Sequence, residues 1–279
     1  TIVTDAAVAD TGIVITDSGV KDTGGDAVTT SLYQRLGGAV GINAVMTDLV
    51  VNRVLQDPKI NGYFLNSTVD GANVIKCLDL QLGAASGGTE VYPAPGCRDM
   101  KASHKGLGIS KVDFDDLVNH LVAALTAAKV SAADIGIIAS VLTPMQADIV
   151  EDATNNKTVY QRVGRKPAVM MVIEKFVGRV AADVRINGFF NPARIPRLKT
   201  CLVRQVCSID GPCKYGKEVV TDALKPGAEL GVSATDVCRD MFSSHIGLTN
   251  PVAGGVGSRG ISIADFNALV EDLVLTMTT

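Results

Sequence analysis

An eleven-residue phrase occurs twice in this chain, and it constrains the fold more than any other stretch. Cys97-Arg98-Asp99-Met100-Lys101-Ala102-Ser103-His104-Lys105-Gly106-Leu107 returns as Cys238-Arg239-Asp240-Met241-Phe242-Ser243-Ser244-His245-Ile246-Gly247-Leu248. The repeat extends outward from it. Tyr33-Gln34-Arg35-Leu36-Gly37 matches Tyr160-Gln161-Arg162-Val163-Gly164, and Lys59-Ile60-Asn61-Gly62-Tyr63-Phe64 matches Arg185-Ile186-Asn187-Gly188-Phe189-Phe190. Cys77-Leu78-Asp79-Leu80-Gln81 matches Cys201-Leu202-Val203-Arg204-Gln205, and Gly108-Ile109-Ser110 matches Gly260-Ile261-Ser262. Only three histidines occur, and two of them occupy equivalent places in the repeat. Neutral imidazole is a common transition-metal ligand, so the pattern points to two copies of one metal or cofactor site at His104 and His245.

The apolar spacing within each copy is helical. Val45, Leu49, Val50, Val54 and Leu55 fall at the steps of one helical face, as do Ile173, Phe176, Val177 and Val180. Ser110-Lys111-Val112-Asp113 and Ser262-Ile263-Ala264-Asp265 place capping groups ahead of apolar helices. The first copy adds a last helix over 131–150, with Ile135, Ile138, Val141 and Leu142 on its apolar side. Neither copy shows strand alternation, and the expected class is all-α, with domains at 33–155 and 156–279.

The second copy has extra residues at 216–237 and 249–259 and no counterpart of 131–150. Loss of a helix uncovers apolar surface, so an insertion, the first domain or another chain is expected to cover that face. Residues 1–32 lie outside both copies and carry a smaller repeat of Thr, Val and Ile with Asp-Gly punctuation. They read either as a disordered tether or as an extended, β-prone arm that docks on another subunit.

The sequence is 47% apolar and 20% charged, a globular composition, and its net charge of -3 offers no electrostatic reason to bind nucleic acid. No run of about 18 uncharged apolar residues is present, and no membrane span is expected. A start at Thr1-Ile2-Val3 fits an N-terminus left by processing. The repeat selects Cys77–Cys97, Cys201–Cys238 and Cys207–Cys213 as the economical disulfide pairing. Six buried thiols, or a zinc site from the four second-copy cysteines, are the alternatives. Disulfides would place the protein outside the cytoplasm, in the periplasm or the extracellular space.

Tyr-x-x-x-Gly, a phenylalanine beyond the first long helix, and Met-x-x-x-His-x-Gly followed by Ile and Phe together resemble the group I truncated haemoglobins. The likeness covers about 33–152 and 160–279, and the cysteine-rich second copy is similar to exported bacterial members. It implies two tandem two-over-two helical sandwiches, each holding a non-covalent haem b, with His104 and His245 as proximal iron ligands. Phe64 and Phe190 would stack on the porphyrin. Met100 and Met241 lie one helical turn before each histidine, and Ile109, Phe114, Ile261 and Phe266 would close the proximal wall. His120 has no counterpart histidine and reads as an ordinary helix residue.

The distal side departs from the family. Where oxygen-avid members carry a tyrosine this chain has Val51 and Val177, and where they often carry glutamine it has Leu78 and Leu202. Val74 and Leu198 add further apolar lining, while Gln81 and Gln205 lie one turn too far along to replace the lost donors. A pocket without donors implies weak or fast-releasing oxygen binding and good binding of carbon monoxide or nitric oxide. It also disfavours nitric oxide dioxygenation. Lys76 or Lys199 is an alternative sixth ligand.

The leading expectation is a secreted di-haem globin for a small gas. The alternative is an extracellular electron-transfer or filament-forming haem protein, assembled through residues 1–32 and the uncovered face of the second domain. Cys-x-x-Cys-His is absent, so covalent c-type haem is not expected.

Overall fold

A computed structural model describes residues 30–65, 71–215, 238–251 and 258–278. Most of the arm at 1–32 and the insertion at 216–237 lie outside the described residues, so the expectations placed on them do too.

Both long first helices begin the same way. Gly37 and Gly164 take left-handed N-cap conformations, φ +85° and +99°, and turn the chain from the single-turn helices α1 (Leu32–Arg35) and α8 (Val159–Arg162). In the first half, α2 (Gly38–Thr47) runs into a π-helical segment, Asp48–Arg53, and a 3-10 turn, Val54–Gln56. In the second half α9 (Arg165–Ala182) is unbroken. The sequence explains the difference: 24 residue steps separate Gly37 from Asn61, and 23 separate Gly164 from Asn187. The extra residue is absorbed as a π turn, where Asp48 accepts hydrogen bonds from Asn52 (3.0 Å) and Arg53 (2.7 Å).

Then follow α3 (Asn61–Leu65), α4 (Gly71–Ala85), α5 (Met100–His104), α6 (Lys111–Ala127) and α7 (Ala132–Ile149). The second half repeats this order with α10 (Ile195–Cys207), α11 (Met241–His245) and α12 (Ile263–Met277). Ser110 and Ser262 form the expected capping boxes with Asp113 and Asp265, and Ser131 caps α7. One feature departs from the all-α expectation. Within the second-half insertion, β1 (Thr249–Pro251) and β2 (Ser258–Gly260) form an antiparallel hairpin.

The stretch Gly38–Gln56 is long and apolar enough to cross a bilayer. Its Ile42, Val45, Met46, Leu49 and Val54 are instead buried with Leu121, Leu125 and Ile138 in the first-half core. The second-half core gathers Val169, Ile173, Phe176, Val177 and Val180 of α9 with Val203 and Ala268.

All six cysteines pair as expected, Cys77–Cys97, Cys201–Cys238 and Cys207–Cys213, which excludes both the free-thiol and the zinc readings. The face of α12 that corresponds to the α7-covered face of α6 is exposed among the described residues. Ile263, Phe266, Val270, Val274 and Met277 form an apolar stripe along it.

The two halves join through buried polar contacts. Arg165 reaches Asp113 (2.7 Å) and Asp116 (2.8 Å) on α6, and Lys166 donates to Asn61 (3.1 Å). Arg165 holds a left-handed φ of +64°, where the first half has Gly38 at +63°. That conformation costs an arginine about 1 kcal/mol, and the two carboxylates hold it there.

Candidate functional site

The two repeated histidines end single-turn helices. His104 closes α5, whose start is capped by Asp99 accepting the Ala102 N–H (2.7 Å) and anchored by Cys77–Cys97 to α4. His245 closes α11 in the same way, with Cys201–Cys238 tying the start of its phrase to α10. A five-residue helix has too little cooperativity to hold itself, so these anchors are needed.

Each imidazole is oriented by its own helix. Nδ1 of His104 lies 2.7 Å from the Met100 carbonyl, and Nδ1 of His245 lies 2.6 Å from the Met241 carbonyl. A carbonyl only accepts, so Nδ1 carries the proton and Nε2 keeps its lone pair. This arrangement fits an imidazole that ligates iron.

Around His104 the expected lining residues fall into two groups. Val51, Phe64, Val74 and Leu78 pack with Val50, Leu55 and Leu65. Met100, Ile109 and Phe114 pack with Ile149, Tyr63, Val118 and Met145. Although α4 is largely apolar, its Val74, Ile75, Leu78 and Leu82 are all half-buried. An apolar helix face filled only in part, on the helix that Cys77–Cys97 ties to the start of the histidine phrase, suits a flat apolar group such as haem. Gln81 is turned away from any distal role: its amide donates to Sδ of Met145 on α7 (3.2 Å).

The second half differs. Val177, Phe190 and Leu202 join a single cluster that also holds Leu248, Leu269 and Leu273. Leu198 is half-buried, whereas Met241, Ile261 and Phe266 are exposed and do not form a wall. The difference lies in α7: its Ile149 and Met145 pack on Ile109 and Phe114, and no helix lies in that place over α12 among the described residues. Gln205 donates to Sδ of Met241 (3.2 Å), and Lys199 is engaged by Glu174 (2.6 Å).

Polar residues near the first site are held by other partners. His120 pairs with Asp57 (2.8 Å), consistent with a helix residue rather than a ligand. Asp113 is fully used: Oδ1 accepts from Arg165, and Oδ2 accepts from the Ser110 amide and hydroxyl and from the Tyr63 hydroxyl (3.0 Å). Burial and the neighbouring Asp113 charge push the Tyr63 phenol far above its usual range. Burial also takes the Tyr160 phenol up to about 12.

The model of the Bacterial-like globin family matches residues 31–151, the half that contains His104. The Group 1 truncated hemoglobin GlbN of Mycolicibacterium paratuberculosis is 32% identical over 135 residues, which span 48% of this chain and 93% of that protein. The chain belongs to the group 1 truncated haemoglobins. The Group 1 truncated hemoglobin of Tetrahymena thermophila is 27% identical over 118 residues, 42% of this chain and 93% of that one. The solved truncated hemoglobin from Tetrahymena pyriformis, in its Fe(III) form, is 26% identical. It covers 43% of this chain and 98% of its own, with a TM-score of 0.39. As a truncated haemoglobin, the chain is a haem protein for a small gaseous ligand.

Proposed function

We propose that this truncated haemoglobin is an exported di-haem protein that binds a diatomic gas reversibly, with one non-covalent haem b in each of two domains, 33–155 and 156–279. The observation that carries the reading is the twofold recurrence of one geometry: a histidine ending a single-turn helix, its Nδ1 locked to the carbonyl four residues back. His104 and His245 are the proximal ligands. When bound, the haem supplies an iron centre that coordinates the gas.

The chain's own residues set what that centre meets. Phe64 offers the porphyrin an aromatic face, and Met100, Ile109 and Phe114 exclude water on the proximal side. Val51, Val74 and Leu78 present only carbon distally, so a bound gas gains no hydrogen bond from them. In the second domain Val177, Leu198 and Leu202 have the same chemistry beside Phe190, while the exposed Met241, Ile261 and Phe266 leave the proximal side without the wall that Met100, Ile109 and Phe114 give the first. Three disulfides and no free cysteine support a periplasmic or extracellular location. The α12 stripe supports self-association through that face, with residues 1–32 as a second contact.

Pyridine haemochrome analysis should give two b-type haems per chain, and stopped-flow should show rapid oxygen release from the ferrous protein. One haem or none, or slow oxygen release, would contradict the proposal. Titration of the denatured, unreduced protein should find no free thiol.

A further inference from the structure

The segment between the halves closes on the loop that follows His104. The Ile109 carbonyl accepts the amides of Glu151 (2.9 Å) and Asp152 (3.1 Å), and the Lys111 amide donates to the Asp152 carbonyl (2.9 Å). Ser110 and Asp152 thereby form a parallel bridge. The Glu151 carboxylate then divides between two glycines. Its Oε1 accepts the Gly106 N–H at 2.6 Å, and its Oε2 accepts the Gly108 N–H at 2.7 Å. Both glycines have positive φ, +81° and +66°, and main-chain N–H groups turned in this way form a small concave receptor for an anion. Here a carboxylate from the same chain fills it.

The grip continues into the second half. Asp152 is held by the Thr154 amide (2.9 Å) and hydroxyl (2.7 Å) and by the Lys157 amide (3.4 Å). Arg165 holds Asp113 in the first turn of α6, directly beyond the loop. The second half fixes its own loop differently: beyond Gly247 and Leu248 the chain enters the β1–β2 hairpin, which pairs Thr249 with Gly260.

The helix that carries His104 is one turn long. Cys97 and Asp99 fix its start, and the Glu151-bound loop fixes its end. We infer that Glu151 is a positioning residue for His104, and that the second half, through Lys157 on Glu151 and Asp152 and through Arg165 on Asp113, holds Glu151 in place. The inference rests on His104 being the iron ligand. The linker thus sets the angle at which the first imidazole meets its metal, a task for which the second half uses the hairpin.

The test uses the full-length chain carrying His245→Gly, so that the remaining haem signal belongs to the first half. Glu151→Ala removes both acceptors, and Glu151→Gln keeps the shape and one acceptor. Hydrogen exchange of the Gly106 and Gly108 amides in haem-free protein should quicken at least about tenfold in Glu151→Ala. With haem, the iron–histidine stretching band should shift and broaden, and haem transfer to apomyoglobin should accelerate about tenfold, as for loss of an outer-shell support. Glu151→Gln should fall between wild type and alanine in all three. An unchanged band and release rate in Glu151→Ala overturns the inference, whether or not the amides exchange faster. His104→Gly in the same background separates the two failures. If it keeps its haem, the ligand assignment fails and the inference with it; if it loses haem while Glu151→Ala behaves as wild type, only the inference fails.

Discussion

The two halves carry nearly the same histidine phrase, yet among the described residues the side chains expected beside it are packed in one and exposed in the other. Phe114 is 7% exposed and its counterpart Phe266 is 59% exposed; Leu125 is 1% exposed and Met277 is 64% exposed. One helix makes the difference. The first half lays α7 across α6, bringing Ile138, Met145 and Ile149 against it, whereas nothing among the described residues covers the same face of α12. Retaining a ligand residue and retaining its enclosure are therefore separable. The phrase around His245 keeps the imidazole lock without the proximal wall that goes with it at His104.

The comparison breaks most readily at the paired phenylalanines. Phe114→Ala should cost about 3–5 kcal/mol in chemical denaturation of the full chain, as for a large core truncation. Phe266→Ala should stay within about 0.5 kcal/mol in dilute protein, as at an exposed position. Its cost should grow with protein concentration if a second copy covers the α12 stripe.

Next comes the buried junction. Arg165→Met leaves Asp113 without its cation and keeps a side chain at the left-handed position, and should cost about 3 kcal/mol; Arg165→Gly loses the same cation but relieves the backbone. Arg165→Gly should therefore be the milder of the two. Lys111→Ala, which breaks an exposed pair with Asp115 (2.6 Å), should cost under about 1 kcal/mol. Equal losses at Arg165 and Lys111 would show that the halves are not locked together through the guanidinium.

The helix starts give a smaller contrast. Ser262→Ala should cost about 1 kcal/mol as a lost N-cap. Ser110→Ala should cost more, about 2 kcal/mol, because Ser110 is fully buried whereas Ser262 is exposed, so water cannot replace the hydrogen bond that Asp113 loses.

The smallest effect is acid sensitivity of the linker. Burial alone would raise the Asp152 carboxyl, but hydrogen bonds from Thr154 and Lys157 and the Lys157 charge outweigh it and bring it down to about 2. The folded form thus binds fewer protons than the unfolded chain. The contribution is fully present above pH about 4 and is lost as pH falls through about 2. Acid unfolding followed for wild type and Asp152→Asn should differ above pH 4 and converge near pH 2; parallel curves would remove the linker from the account.

Much of this was legible because it repeats or follows a local rule. Ser110, Ser131 and Ser262 announce helix starts through their own hydroxyls, and Cys77–Cys97 and Cys201–Cys238 follow from their equivalent places, which leaves the neighbours Cys207 and Cys213 to pair. Apolar spacing places 131–150 as a helix, within a residue of Ala132–Ile149 at each end. What escaped was non-repeated and long-range. Glu151 is an exposed acid outside the repeated phrases, and only the folded chain brings it to Gly106 and Gly108. Arg165 replaces Gly38 at a left-handed position, a substitution visible in the repeat but meaningful only once Asp113 lies opposite. The π segment was implicit in a one-residue length difference that apolar spacing does not register. The hairpin has three-residue strands, too short to show alternation.

The imidazole lock at His104 is most directly tested by cavity rescue. His104→Gly in the full chain, loaded with hemin, should lose the first haem's Soret absorbance and recover it on addition of free imidazole. A Soret band as strong as wild type without imidazole would contradict the assignment of His104 as the iron ligand.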